Sequence, residues 1–285
     1  MDPVSSPLPL SASDIEQFVS DGYVRVRHAF PVEDALAMQD HLWSKLALKG
    51  VHRDDRSTWD REFSGLGSGV NHPICASIGS ERLHRACDQL FGTGRWMPPT
   101  GWGGLRVTFP RSEHPWHMTD HAWHCDHWPS EKRGHALFPF TFLSDIRPRG
   151  GGTLLVAGAH RVIARYVAGL DERRRRWKNG QKSQDFGTFL PWLAELTGVA
   201  PARPNRIERF MEHEHVTDHG ERLRVVEATG KPGDVMLCHA SVFHAASMNC
   251  GDWPRFMRFG LIEGRSPPEN DSPLGRSMIP LALTG

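Results

Sequence analysis

From Gly101 onward, glycine and proline cut the chain into short segments, several of which alternate apolar and polar residues. That texture limits the fold more than any other feature, because period-two alternation suits a pleated strand and not a helix. Residues 105–109 alternate in this way. Residues 135–143 read as a strand in which Pro139 marks an edge position or a bulge, since proline cannot donate to a ladder. Gly150-Gly151-Gly152 is a turn, with no Lys-Ser/Thr after it to make a phosphate loop. Residues 153–156 form a short strand ending at Gly158, and 223–227, 235–240 and 256–262 are further strands.

Ahead of this region the spacing is helical. Residues 11–21, 31 to about 50, and 80–90 read as helices, with a strand at 23–27. Residues 51 to about 72 are polar and irregular, and 161–200 return to helical character, most clearly at 189–196. No internal repeat is present. The expected fold is mainly β with flanking helices: a small sandwich or jelly-roll with a helical surround. The length suits one domain over 1–285, with a helical amino-terminal part to about 95, a β core at about 100–265 and a helical insertion at about 161–200.

Basic and acidic residues nearly cancel, 34 against 33, which gives no global attraction to nucleic acid or an anionic membrane. No apolar run reaches the length of a bilayer, and the first ten residues lack the pattern of a signal peptide. The five cysteines are scattered, odd in number and without a Cys-x-x-Cys pair, as expected in a reducing, cytoplasmic compartment. Nothing in the sequence speaks to oligomeric state.

Seventeen histidines are many, and they cluster: His121, His124 and His127 surround Asp126. A single histidine is most simply a hydrogen-bonded imidazole. A His and an Asp two apart on an extended segment share a face and can converge on one ion. Trp123 and Trp128 bracket Asp126 and suggest a partly dry pocket. His121 and His127 are expected to face the substrate or support the ligands. A further imidazole must come from elsewhere, and His239 and His244 are the candidates; strand parity does not choose, because the chain can turn near Ser241. Two His and one carboxylate leave coordination positions open, as in non-haem Fe(II) oxygenases.

Arg255 shares a strand face with Met257, Phe259 and Leu261, where a guanidinium is costly unless paired. No neighbouring acid has an obvious claim on it, although Asp252 is a structural rival, and a bound carboxylate would satisfy it. Its distance in sequence favours His244 as the metal partner. Arg258 falls on the opposite face, as a surface or structural charge.

These residues resemble a known family. Asp21-Gly22-Tyr23-Val24, His124-x-Asp126, Gly151-Gly152-Thr153, Gly158-Ala159-His160-Arg161, Pro232-Gly233-Asp234, His244 to Asn249, and Arg255 occur in the order seen in the phytanoyl-CoA dioxygenase family of Fe(II)- and 2-oxoglutarate-dependent oxygenases. The likeness covers about residues 13–262. It implies a double-stranded β-helix, His124, Asp126 and His244 as iron ligands, and Arg255 binding the far carboxylate of 2-oxoglutarate, with Thr108 also touching that co-substrate. It further implies O2 as oxidant, a small-molecule substrate, and release of succinate and CO2. Related halogenases lack the acidic ligand, so Asp126 implies hydroxylation or another oxidative outcome over halogenation. Ala246 departs from the serine often found there, and Ala157 and Ala159 depart from the usual Pro-Gly-Ser-His.

Rival expectations are a metal-dependent hydrolase or isomerase on a cupin-like barrel, which would need neither Arg255 nor oxygen, and a non-catalytic binding protein on an oxygenase scaffold. The run Arg173 to Arg176 reads as a solvated helix face, with contact to an anionic substrate as the alternative. Glu212-His213-Glu214-His215 reads as a mobile loop or lid. The substrate itself has no legible code.

Overall fold

The computed structural model describes residues 7–59, 72–111, 115–129 and 135–278. Most of the irregular stretch expected at 51–72 lies outside these residues.

Helix α1 (Ala12–Asp21) starts at a reciprocal cap: the Asp14 N–H donates to the Ser11 hydroxyl, and the Ser11 N–H donates to the Asp14 carboxylate. Gly22 ends it, and strand β1 (Tyr23–Val26), helix α2 (Val32–Ala47) and helix α3 (Glu81–Phe91) follow. The strands then run β2 (Trp96–Met97), β3 (Gly104–Thr108), β4 (Ala136–Phe142) and β5 (Leu154–Ala157). Four helices interrupt them, namely α4 (Ala159–Ala168), α5 (Glu172–Arg175), α6 (Asn179–Phe186) and α7 (Pro191–Leu196). After these come β6 (His215–Val216), β7 (Arg222–Glu227), β8 (Val235–His239), β9 (Phe243–Ala245), β10 (Arg255–Phe259), β11 (Ile262–Gly264) and helix α8 (Pro273–Met278).

Two antiparallel sheets face each other. The larger runs β1-β8-β4-β10-β3, with β11 joining β4 to β2; the smaller runs β6-β7-β5-β9. The expectation of a mainly β jelly-roll core flanked by helices is met. Strand alternation sorts the side chains into three layers. Phe138, Phe140 and Phe142 of β4, Met236 of β8, Met257 of β10 and Leu155 of β5 meet between the sheets. The other face of the large sheet, with Leu137, Leu237 and Phe256, packs on α1 to α3. The other face of the small sheet, with Val156, Val225 and Phe243, packs on α4, α6 and α7.

One expectation is corrected and another is narrowed. Pro139 sits in a central strand, opposite Leu237 of β8, and not at an edge. It is tolerated because the other neighbour breaks there: β10 ends its pairing at Phe140 and β11 resumes at Leu137. For the same reason residues 256–262 form two strands and not one. For Arg258 the structural alternative holds and the surface one does not: it is buried, and its guanidinium donates to the Gly101 and Gly103 carbonyls. The parity was right, but helices cover that face of the sheet.

The segment expected as a mobile loop or lid is partly sheet. His215 pairs with Leu223 and stacks on Trp192, with ring centroids 5.7 Å apart. Where the chain passes from β5 into α4 it turns at Gly158, with φ +78°. A Cβ there would stand 2.2 Å from the Arg222 carbonyl oxygen, so only glycine fits.

Candidate active site

His124 lies on a connecting segment, not on a strand, yet it joins β9 through a pair of backbone hydrogen bonds to His244, both 2.9 Å. Alternation still holds locally. Trp123 and Cys125 enter the apolar layer outside the small sheet, where Trp123 stacks on Phe243 at 5.9 Å. Burying one such aromatic contributes roughly 2–3 kcal/mol, which fixes the segment. His124 and Asp126 therefore face the other way. Phe243 and Ala245 anchor β9 in that outer layer, and His244 between them pairs with Leu155, whose side chain belongs to the layer between the sheets.

These placements bring three donors together. His124 Nε2 lies 3.8 Å from Asp126 Oδ1, and His244 Nε2 lies 3.6 Å from Asp126 Oδ2. One ligand atom from each residue falls within 4.8 Å of the others, and among the described residues no second such group of His, Cys, Asp or Glu occurs. Donors about 2 Å from one ion stand about 3–4 Å apart, so the spacing fits a metal with little movement. Each imidazole is also oriented: His124 Nδ1 donates to the Ala122 carbonyl at 2.8 Å and His244 Nδ1 to the Val242 carbonyl at 3.1 Å. Those bonds leave both Nε2 lone pairs free for an ion. Burial, and then the charge of His124, lower the pKa of His244 and favour its neutral, ligating form. The side chains of His124 and Asp126 are 45% and 42% exposed against 11% for His244, so the group opens outward. The dry pocket expected around Asp126 is thus only half present, since Trp123 turns away from it.

Arg255 faces the same interior from the opposite sheet, on the side of β10 that carries Met257. It pairs directly with Thr108 of β3, and its Nη2 donates to the Thr108 hydroxyl at 2.7 Å. Nη1 donates to the Gly151 carbonyl at 2.6 Å, while the Nε proton is buried without an acceptor. Burial pushes the guanidinium down to about 10, still cationic at neutral pH. An acid does stand near it, contrary to expectation: Glu227, whose charge favours the Arg255 cation. Glu227 spends its oxygens on the Arg149 and Gly152 N–H groups and forms no ion pair with Arg255. Asp252, the rival expected from sequence, is exposed.

The other histidines divide. His239 is buried away from the three donors, accepting from the Ser241 N–H and stacking near His160 at 5.2 Å. His121 is exposed and bonded to Asp120 and Thr119. His127 lines a cavity of about 850 Å³ beside Asp126. Sequence reasoning missed Glu227, and it missed two side chains of α6 that hold the ligand segment: Asn179 donates to the Asp126 carbonyl at 2.8 Å, and the Ser183 hydroxyl accepts from the Cys125 N–H at 3.2 Å. Their spacing of four along a helix was the available signal.

All five cysteines are free, and no helix among the described residues is long and apolar enough to cross a membrane.

The family profile described as Phytanoyl-CoA dioxygenase (PhyH) matches residues 18–257. An ectoine dioxygenase of Sphingopyxis alaskensis is 21% identical over 278 residues, covering 93% of this chain and 82% of the relative. An ectoine dioxygenase of Streptomyces anulatus is 20% identical, covering 95% and 85%. Among solved structures, EctD from S. alaskensis in its apo form matches with a TM-score of 0.52 at 19% identity, covering 96% of this chain and 83% of that one. AviO1 from Streptomyces viridochromogenes Tue57 matches with a TM-score of 0.52 at 16% identity, covering 92% and 99%.

Proposed function

This chain belongs to the phytanoyl-CoA dioxygenase family, and on that premise we propose that it is an Fe(II)- and 2-oxoglutarate-dependent dioxygenase that hydroxylates a small molecule, with the whole chain acting as one oxygenase domain. The observation that carries the reading is the convergence of His124, Asp126 and His244 on one point, with both imidazoles turned by backbone carbonyls to offer Nε2. Two imidazoles and one carboxylate on one side of an ion are the donor set of non-haem iron oxygenases.

The residues divide the work. His124, Asp126 and His244 hold the metal. Arg255 supplies a buried cation with an unused Nε proton, the partner a carboxylate needs. Thr108, having accepted from Arg255, keeps its own hydroxyl proton to donate to the same carboxylate. With iron and 2-oxoglutarate bound, the chemistry supplied is oxidation by O2, in which the keto acid becomes succinate and CO2 and a substrate C–H becomes C–OH. The complete acidic ligand supports hydroxylation over halogenation. The curated relatives named for ectoine support a small-molecule substrate, as does the cavity beside Asp126.

Anaerobic titration of Fe(II) and 2-oxoglutarate into the protein tests this. A weak visible charge-transfer band is expected, followed by succinate when oxygen is admitted. A metal-dependent hydrolase or isomerase, or a non-catalytic binding protein, gives no such band, and its absence rejects the proposal.

A further inference from the structure

The 850 Å³ cavity that Asp126 and His127 line has a consistent chemical character. One wall is apolar, built by Ala164, Val167 and Leu170 around the end of α4. Lys182 of α6 and Arg175 of α5 also line the cavity. Asp126 is the only acidic residue among the described lining, and the metal reading commits its charge to an ion.

Lys182 is held there by the same contacts that position the ligand segment. Asn179 and Ser183 of α6 bond the backbone of Asp126 and Cys125, and Lys182, between them in sequence, lines the cavity beside Asp126. Its ammonium group has no hydrogen-bond or ion-pair partner among the described residues, and desolvation lowers its pKa from the ordinary value. A partly desolvated, unpartnered cation is a cost that a ligand anion would remove. Arg175 differs from its neighbours in the same way. Arg174 pairs with Asp171 and Asp185 and Arg176 pairs with Glu172, whereas Arg175 gives its Nε proton to the Leu170 carbonyl and meets no carboxylate among the described residues. The four-arginine run is therefore not uniformly a solvated face.

We infer that the substrate is a small molecule with an oxyanion group, a carboxylate or phosphonate, on a short apolar body, and that Lys182 with Arg175 selects it. The apolar body lies along the α4 wall, and the charge is held beside the donor group that includes Asp126. The inference rests on the metal reading of that group for its catalytic meaning, but the anion site itself is separable from it.

Calorimetry on the full chain tests both, using Ni(II) as the metal and saturating 2-oxoglutarate to occupy Arg255. The probes are hexanoate and hexylphosphonate, against 1-hexanol and hexylamine. An anion preference of at least tenfold over 1-hexanol is expected. Lys182→Gln should lose at least tenfold in anion affinity while keeping its Ni(II) affinity, and Lys182→Arg should restore most of it. Asp126→Ala should lose Ni(II) and still bind the anions. Equal binding of anion and alcohol, no anion binding at millimolar concentration, or an unaffected Lys182→Gln overturns the inference. Failure of the wild-type chain to bind Ni(II) instead sinks the metal reading and leaves the anion result standing.

Discussion

His124 and His244 exchange both of their backbone hydrogen bonds, N–H to carbonyl at 2.9 Å in each direction, although one lies on a connecting segment and the other on β9. The exchange fixes the register between two parts of the chain far apart in sequence, and a slip of one residue would turn one ring to the opposite face. The ring centroids stand 4.2 Å apart as a result. The donor group is thus placed by backbone bonds that do not depend on the imidazoles themselves.

It follows that either imidazole can be removed without unpicking the scaffold. His244→Ala and His124→Ala should each lower Fe(II) or Co(II) affinity by at least about 100-fold, more than the loss of a supporting contact would. The backbone pair survives, so the melting temperature without metal should stay close to the parent's. Metal titration and a thermal melt on the same sample check this. A collapse of the melt, with metal affinity kept in the folded fraction, would assign these residues to structure.

Arg255 is asked to bind a carboxylate with a planar fork. Arg255→Lys keeps the charge and loses the fork, and a hydrogen bond to a charged group is worth about 1.5–3 kcal/mol. The KM for 2-oxoglutarate should therefore rise by roughly 10- to 100-fold, with Fe(II) affinity unchanged. Thr108→Val removes one neutral hydroxyl and should cost about tenfold or less. Steady-state succinate formation at varied 2-oxoglutarate measures both. An unchanged KM in Arg255→Lys would remove the residue from the co-substrate site.

Acid should destabilise the fold early. His239 is buried, and desolvation, then the charges of Arg161 and His135, push its pKa down to about 4. Its neighbour His160 is also lowered, by burial and then by His239 and Arg161. In the unfolded chain each takes up a proton near pH 6.5, whereas the folded chain resists until lower pH. The unfolded state then binds more protons, so stability falls as pH drops below about 6.5 and the His239 part levels off near its folded value. At about 1.4 kcal/mol per pH unit for each group, His239 alone accounts for up to about 3 kcal/mol. His239→Asn keeps an acceptor for the Ser241 N–H and should flatten the slope of the melting temperature between pH 6.5 and 4. A parallel slope in the variant would place the acid sensitivity elsewhere.

Much of this was legible because it is local. The helix that starts after Ser11, the alternation in β3, and the shared face of His124 and Asp126 all follow from residues near one another in sequence. Strand parity could not choose between His239 and His244, since the chain turns at Ser241 and parity is lost across a turn; the spacing to Arg255 is what pointed to His244. Pro139 was misplaced because its tolerance depends on a break in a distant partner strand. The burial of Arg258 was not legible, because alternation separates two faces without saying what covers each: helices on one and the second sheet on the other. Glu227 and Lys182 gained their importance only from folding, which brought each beside groups far away in sequence.

Two glycines share a backbone conformation and differ in their surroundings, which allows one more separation. Gly158 and Gly50 both have φ +78°. A Cβ at Gly50 would meet nothing within 4 Å, whereas at Gly158 it would lie 2.2 Å from the Arg222 carbonyl oxygen. Gly50→Ala should therefore cost only the left-handed backbone penalty, about 1–2 kcal/mol. Gly158→Ala adds a clash with backbone that cannot rotate away, at the junction where the Gly158 N–H also donates to the Asp21 carbonyl at 2.9 Å. Its total should reach about 3–5 kcal/mol, within the range of the most damaging single substitutions. Denaturant unfolding of the two variants measures the difference directly. Because β5 leads into Gly158 and pairs with β9, the Gly158→Ala chain should also bind metal less tightly, while Gly50→Ala should not. Equal costs in the two variants would mean that β7 yields at Arg222 and that the junction is softer than its contacts imply.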